Sequence, residues 1–99
     1  MLVRMLPAAE EDIDNIVDFL YSESRHAAIV FLNRFEETKR VLSEFPYLGR
    51  IPGNVFWNRS GYRYCVMSDY LIFYRIESDV VLIFRIFHGS QDYENILHL

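Results

Sequence analysis

The period of the apolar positions changes along this chain, and each change marks an element. Leu2-Val3-Arg4-Met5-Leu6 is a short apolar run ended by Pro7, the pattern of a first strand that joins a sheet. Ala9, Ile13, Ile16, Val17 and Leu20 then recur at helical spacing. Pro7 suits a first helical turn and Glu10, Glu11 and Asp12 suit the positive end of the helix dipole. One stripe is thereby turned inward, leaving Asp12, Asp14, Asp18 and Glu23 largely outward as a solvated acidic face. Ser22-Glu23-Ser24-Arg25-His26 breaks the pattern and supplies a cap for a second helix. Ala28, Phe31, Leu32, Phe35, Leu42 and Phe45 form its stripe, and Pro46 ends it. Two such stripes predict an antiparallel helix hairpin lying on one face of a sheet. Ile29, Val30 and Val41 fall off the stripe and read as ordinary scatter, with part of a partner surface as the alternative.

Two prolines and two glycines make residues 46–53 a loop. From Val55 to Met67 the chain turns extended, with Tyr62, Tyr64 and Val66 on one face and Arg63, Cys65 and Met67 on the other. Ser68-Asp69 is a turn. Tyr70–Ile76 and Val80–Gly89, separated by Glu77-Ser78-Asp79, are two aromatic and β-branched runs that predict a buried antiparallel hairpin at the sheet centre. Each run carries one arginine, which must reach water or a partner. A two-residue turn at Ser78-Asp79 sets Arg75 opposite Leu82 and puts Arg75 and Arg85 on opposite faces. A three-residue loop puts them on the same face. The tail from Ser90 reads as a short helix or an extended arm. The fold class is α+β in the order β-α-α-β-β-β, a two-helix hairpin packed on one antiparallel sheet.

Ninety-nine residues predict one domain, 1–99, since a chain of this size supports one core. A hydrophobic fraction of 52% with 16% aromatic residues argues for a filled core and a buried partner surface. No apolar run nears the roughly 18 residues of a membrane span, and the first residues lack a signal-peptide layout, so a cytoplasmic protein with no membrane partner is expected. The net charge of -4 is uneven. Residues 1–49 hold five basic and nine acidic side chains, whereas residues 50–99 hold five of each. Arg50, Arg59 and Arg63 all precede Asp69, so a basic region survives in an acidic protein. Nine of the ten basic residues are arginine, a bias toward bidentate and stacked contacts.

Cys65 is the single cysteine and reads as a strand residue. His26, His88 and His98 are too scattered for a metal site, and the four glycines make no phosphate-cradling loop, so no metal or cofactor is expected. One arrangement would carry chemistry: a groove lined by Arg59, Arg63, Arg85, His88, Asp92 and Tyr93. Metal-free RNA cleavage needs a base for the 2′-hydroxyl, cations for the phosphate and an acid for the leaving oxygen, roles open to His, Arg and Tyr. The plainer reading, and the preferred one, makes His88 and Tyr93 half-buried residues at a strand end.

Tyr70-Leu71-Ile72-Phe73-Tyr74-Arg75-Ile76, a short acidic turn, then Val80 to Phe84 leading into Arg85-Ile86-Phe87-His88-Gly89 and Asp92, resembles the C-terminal half of the ParE branch of the RelE/ParE toxin superfamily. The upstream strand, two helices and Pro/Gly loop are similar too. The resemblance implies the toxin of a bacterial type II toxin-antitoxin system, with a role in plasmid stabilisation. It further implies a cognate antitoxin that wraps the sheet and helices, and higher-order complexes with it. ParE-type members poison DNA gyrase; RelE-type members cut messenger RNA on the ribosome.

RelE-type nucleases carry lysines where this chain has Tyr62 and Tyr64, and an arginine where it has Leu71. They also have an arginine and a tyrosine where it has Gln91 and Leu97. Without those cationic groups the phosphate is poorly held, which favours the ParE branch. The chain departs from the ParE pattern as well, with Gln91 in place of arginine in His-Gly-x-Arg and an acidic pI of about 5.2. The expected function is gyrase inhibition by binding, through a target surface of Arg59, Arg63, Tyr64, Arg85, His88, Asp92 and Tyr93. The first alternative is a ribosome-dependent ribonuclease using His88, Arg63, Arg85 and Tyr93. A non-toxic antitoxin-binding module is the second.

Overall fold

A computed structural model describes residues 1–53 and 59–90. The elements follow the expected order: β1 (Leu2–Met5), α1 (Pro7–Glu23), α2 (Arg25–Glu44), β2 (Arg63–Met67), β3 (Tyr70–Glu77) and β4 (Val80–His88). The strands form one sheet in the order β1-β4-β3-β2. β2, β3 and β4 are antiparallel neighbours, and β1 adds a parallel edge along Val80–Ile83 of β4, so the sheet is mixed. A parallel partner for β4 follows from the crossover through both helices, which returns β1's successor chain to the far side of the sheet.

The helices start and stop where their caps lie. Pro7 opens α1, and the Ser24 hydroxyl accepts a 3.2 Å bond from the Ala27 amide to cap α2. Ala9 and Ile13 of α1 and Phe31, Phe35 and Leu42 of α2 are buried against Ile72, Tyr74, Val81, Ile83 and Ile86 of the sheet, and Ala28 of α2 is buried as well. Leu32 and Phe45, expected in the inward stripe, are instead exposed. A second, aromatic cluster sits on the face away from the helices, where Tyr62, Tyr64 and Leu71 pack on buried Phe73 and Phe87.

The central hairpin turns through Ser78 and Asp79, both at positive φ (49° and 62°), in the two-residue geometry whose twist matches the strands. Glu77 therefore opposes Val80 and Arg75 opposes Leu82. Two pairs further on the ladder shifts: Tyr74 opposes Ile83 but Phe73 opposes Arg85, leaving Phe84 as the extra residue of a β-bulge. The bulge cancels the face assignment that a regular ladder would give. Arg85 now shares the side of Phe73, hence that of Arg75, and its guanidinium lies 4.8 Å from the Phe87 ring centre.

From there Arg85 reaches the β4 edge that β1 leaves uncovered. Asp12 of α1 meets it, accepting bonds from Arg85 Nε (2.7 Å), Arg85 Nη2 (3.0 Å) and the Ile86 backbone amide (2.9 Å). Asp12 is thus no member of the solvated acidic face; it ties α1 to the sheet and closes the open edge. The expected extended run from Val55 begins only near β2, because residues 60–61 form a turn with Gly61 at φ 78°; its part at 55–58 and the choice of helix or arm for the tail from Gln91 lie outside the described residues.

Candidate functional site

β3 outruns its neighbour. β2 ends its pairing at Arg63, opposite Tyr74, so Arg75, Ile76 and Glu77 have no β2 partner. The space left there is a groove of about 480 Å³ lined by Tyr47, Arg59, Ser60, Gly61, Arg63, Arg75, Ile76 and Glu77. Three guanidinium groups face it against one carboxylate. Arg63 lies 5.2 Å from the Tyr47 ring centre and donates from Nη1 to the Gly49 (3.1 Å) and Tyr47 (3.3 Å) carbonyls. Arg75 pairs with Glu77, donates to the Ser60 carbonyl (3.3 Å), and sits over the Tyr62 and Phe84 rings at 5.4 and 5.3 Å. Its Nε is buried and makes no hydrogen bond among the described residues. Arg59 is exposed and forms no ion pair among the described residues.

The loop beside this groove is fixed from below. Tyr74, fully buried, donates its hydroxyl proton to the Pro46 carbonyl (2.8 Å) and accepts from the Gly49 amide (2.7 Å). Burial raises the Tyr74 phenol above its ordinary value, and the Gly49 bond offsets part of that rise. Gly49 is required here by space: a Cβ would stand 2.4 Å from the Tyr74 oxygen. Arg50 and Tyr64 then exchange both backbone bonds, at 2.7 and 2.9 Å, locking the loop to the start of β2. The outer side of the loop stays bare, with Phe45, Tyr47, Leu48 and Ile51 each 52–64% exposed.

The other expected site residues lie elsewhere. His88 pairs with Tyr70, four residues and roughly 14 Å along β3 from the partner of Arg63. It is exposed, with Nδ1 2.7 Å from the Ser90 hydroxyl and accepting from the Ser90 amide at 3.1 Å. Its ring meets Tyr70 edge-on beside an apolar hollow of about 380 Å³ lined by Asn15, Ile16 and Phe19. Arg85 is held by Asp12, a bond that raises the arginine's pKa further. Arg59 and Arg63 are therefore brought together, while Arg85 and His88 are not joined to them. The single groove expected to hold Arg59, Arg63, Arg85 and His88 is corrected on this point, because the antiparallel register separates the ends of β3 and the bulge turns Arg85 to the edge. Asp92 and Tyr93 lie outside the described residues.

Tyr64 keeps its place near the arginines through its backbone bridge to Arg50, but its ring stacks on Phe73 in the aromatic cluster. Sequence reasoning left Tyr47, Arg75 and Asp12 out of the site and its supports. Arg75 depended on an undecided register, and nothing in the spacing linked Asp12 to a residue 73 positions away. Burial pushes the Cys65 thiol up to about 11, as befits a strand residue. Among the described residues, no three of His, Cys, Asp and Glu cluster in a way that could hold a metal ion. No described helix is long and apolar enough to cross a membrane.

A family model, the ParE toxin of the type II toxin-antitoxin system parDE, matches residues 3–93. The chain belongs to the ParE toxin family. Toxin ParE1 of Caulobacter vibrioides is 30% identical over 92 residues, which span 90% of each chain. A solved structure described as the chromosomal ParDE TA system from P. aeruginosa has the same fold, with a TM-score of 0.72 at 18% identity over 89% of this chain and 95% of that one. As a ParE-type toxin of a type II toxin-antitoxin system, the chain has an antitoxin as its implied partner. The ParE family assignment places the arginine groove on a toxin and makes its ligand the functional question.

Proposed function

We propose that this ParE-family toxin inhibits DNA gyrase by binding it, and that its antitoxin blocks that binding. Family membership supports the reading, and one observation carries it furthest. The groove sets three guanidinium groups beside an exposed aromatic on a loop pinned by Tyr74, a surface arranged in advance to hold a partner. Arginine and tyrosine on a rigid support are the side chains that dominate protein-binding surfaces. Arg63, Arg85 and His88, the trio that would have to cooperate in RNA cleavage, sit at three separate places, so they cannot act on one scissile phosphate without rearrangement.

The direct test uses purified gyrase and relaxed plasmid. Added toxin is expected to suppress ATP-dependent supercoiling, and prior mixing with the cognate antitoxin is expected to restore it. Full supercoiling in the presence of a large molar excess of folded toxin would reject the reading.

A further inference from the structure

The geometry points to a specific partner chemistry for the groove and its loop: a protein segment in which carboxylates flank a large apolar side chain. The inference rests on the reading that this toxin acts by binding a target, and it names what the target must present. Three features converge on it. Among the described residues the groove gathers Arg59, Arg63 and Arg75 against one acid, Glu77, in a protein whose net charge is -4. Like charges held together on a rigid frame repel one another, and an arriving carboxylate relieves that repulsion.

Donor capacity also remains unspent there. Arg59 is exposed and has no ion pair among the described residues. Guanidinium forks are matched by carboxylates in paired, parallel bonds.

The apolar half of the requirement comes from the adjoining loop. Tyr47 lines the groove and is 64% exposed; Leu48, next in sequence, is 61% exposed. Large apolar side chains left in water next to a charged cleft mark a contact surface, and here they cost little ordering on binding because Tyr74, Arg63 and the Arg50–Tyr64 bridge already fix the backbone. Neither half alone would choose an occupant: the arginines would accept any anion and the loop any apolar surface. Together they select an acidic segment with an apolar anchor.

The test is selection from a phage-displayed library of random twelve-residue peptides on the full-length toxin, followed by affinity measurement on Arg59→Glu and Leu48→Asp. Both positions are exposed, so each variant is expected to keep the wild-type melting curve. Selected peptides are expected to carry Asp or Glu around an aromatic or aliphatic residue, to weaken as salt rises, and to lose about tenfold or more in affinity on either variant. Peptides without acids, no enrichment at all, or equal affinity for wild type and both variants would overturn the proposal. Self-association of the toxin that Leu48→Asp abolishes would overturn it too, since a second copy would then be the occupant. The gyrase reading fails separately: unimpaired supercoiling with wild-type toxin rejects that target whatever the peptides show.

Discussion

Replacing Asp12 with alanine removes one carboxylate and three hydrogen bonds at once. The loss divides into two parts of different size. The Ile86 amide belongs to a residue only 2% exposed, so without Asp12 it stays unpaired unless the edge opens, at about 1–3 kcal/mol. The Arg85 side chain is 28% exposed, so water recovers much of the ion pair and that part is discounted to about 1 kcal/mol. The sum, about 2–4 kcal/mol, is a large share of the stability of a small domain and lowers Tm by at least about 8 °C. Urea unfolding followed by circular dichroism reads it directly.

Asp12→Asn is expected to cost less, because its remaining carbonyl oxygen still accepts from Ile86. Amide hydrogen exchange at Ile86 is expected to accelerate selectively in Asp12→Ala. A double-mutant cycle with Arg85→Met should give a coupling above about 1 kcal/mol. A cost below about 0.5 kcal/mol with no coupling would refute the claim that Asp12 closes the β4 edge.

Three further predictions concern the loop, the thiol and the turn. Gly49→Ala forces a Cβ into the Tyr74 hydroxyl and is expected to cost about 2–4 kcal/mol, more than the roughly 1–2 kcal/mol of Tyr74→Phe, which loses only the two hydroxyl bonds; equal costs in thermal melts would contradict the close approach. The Cys65 thiol, ordinarily at 9.0, is raised in the folded protein to about 11, so its contribution is fully present below pH 9 and is lost as pH climbs toward 11, by about 2–3 kcal/mol in total. Urea midpoints of Cys65→Ala are therefore expected to fall less steeply than wild type between pH 8 and 11, and parallel curves would remove the thiol from the account. Asp79→Gly relieves a left-handed residue in the hairpin turn and is expected to stabilise by about 0.5–1 kcal/mol in the same assay, whereas destabilisation would argue against the two-residue turn.

The element order was legible because the apolar period is helical over Ala9–Leu20 and Ala28–Leu42 and strand-like in the long hairpin. Helix caps announced themselves through Pro7 and Ser24, since those residues act within a turn of their own position. Sheet order and site geometry were not legible, because they depend on pairings distant in sequence. Whether Arg75 and Arg85 share a face turned on one extra residue, Phe84, which no local pattern marks. Asp12 looked like one more acid on a solvated helix face until the bare β4 edge was seen to need an acceptor. Arg59 and Arg63 were found by charge, but their companion Tyr47 was hidden in a loop whose shape is dictated from the core by Tyr74.

Gyrase inhibition by this toxin is tested most directly by inducing the chain alone in bacterial cells and following thymidine and methionine incorporation over the first minutes. The account predicts that thymidine incorporation falls first, since arrest of gyrase stops replication before translation suffers. A first fall in methionine incorporation would contradict it and point to messenger cleavage, and an unchanged rate of both would contradict toxicity by either route.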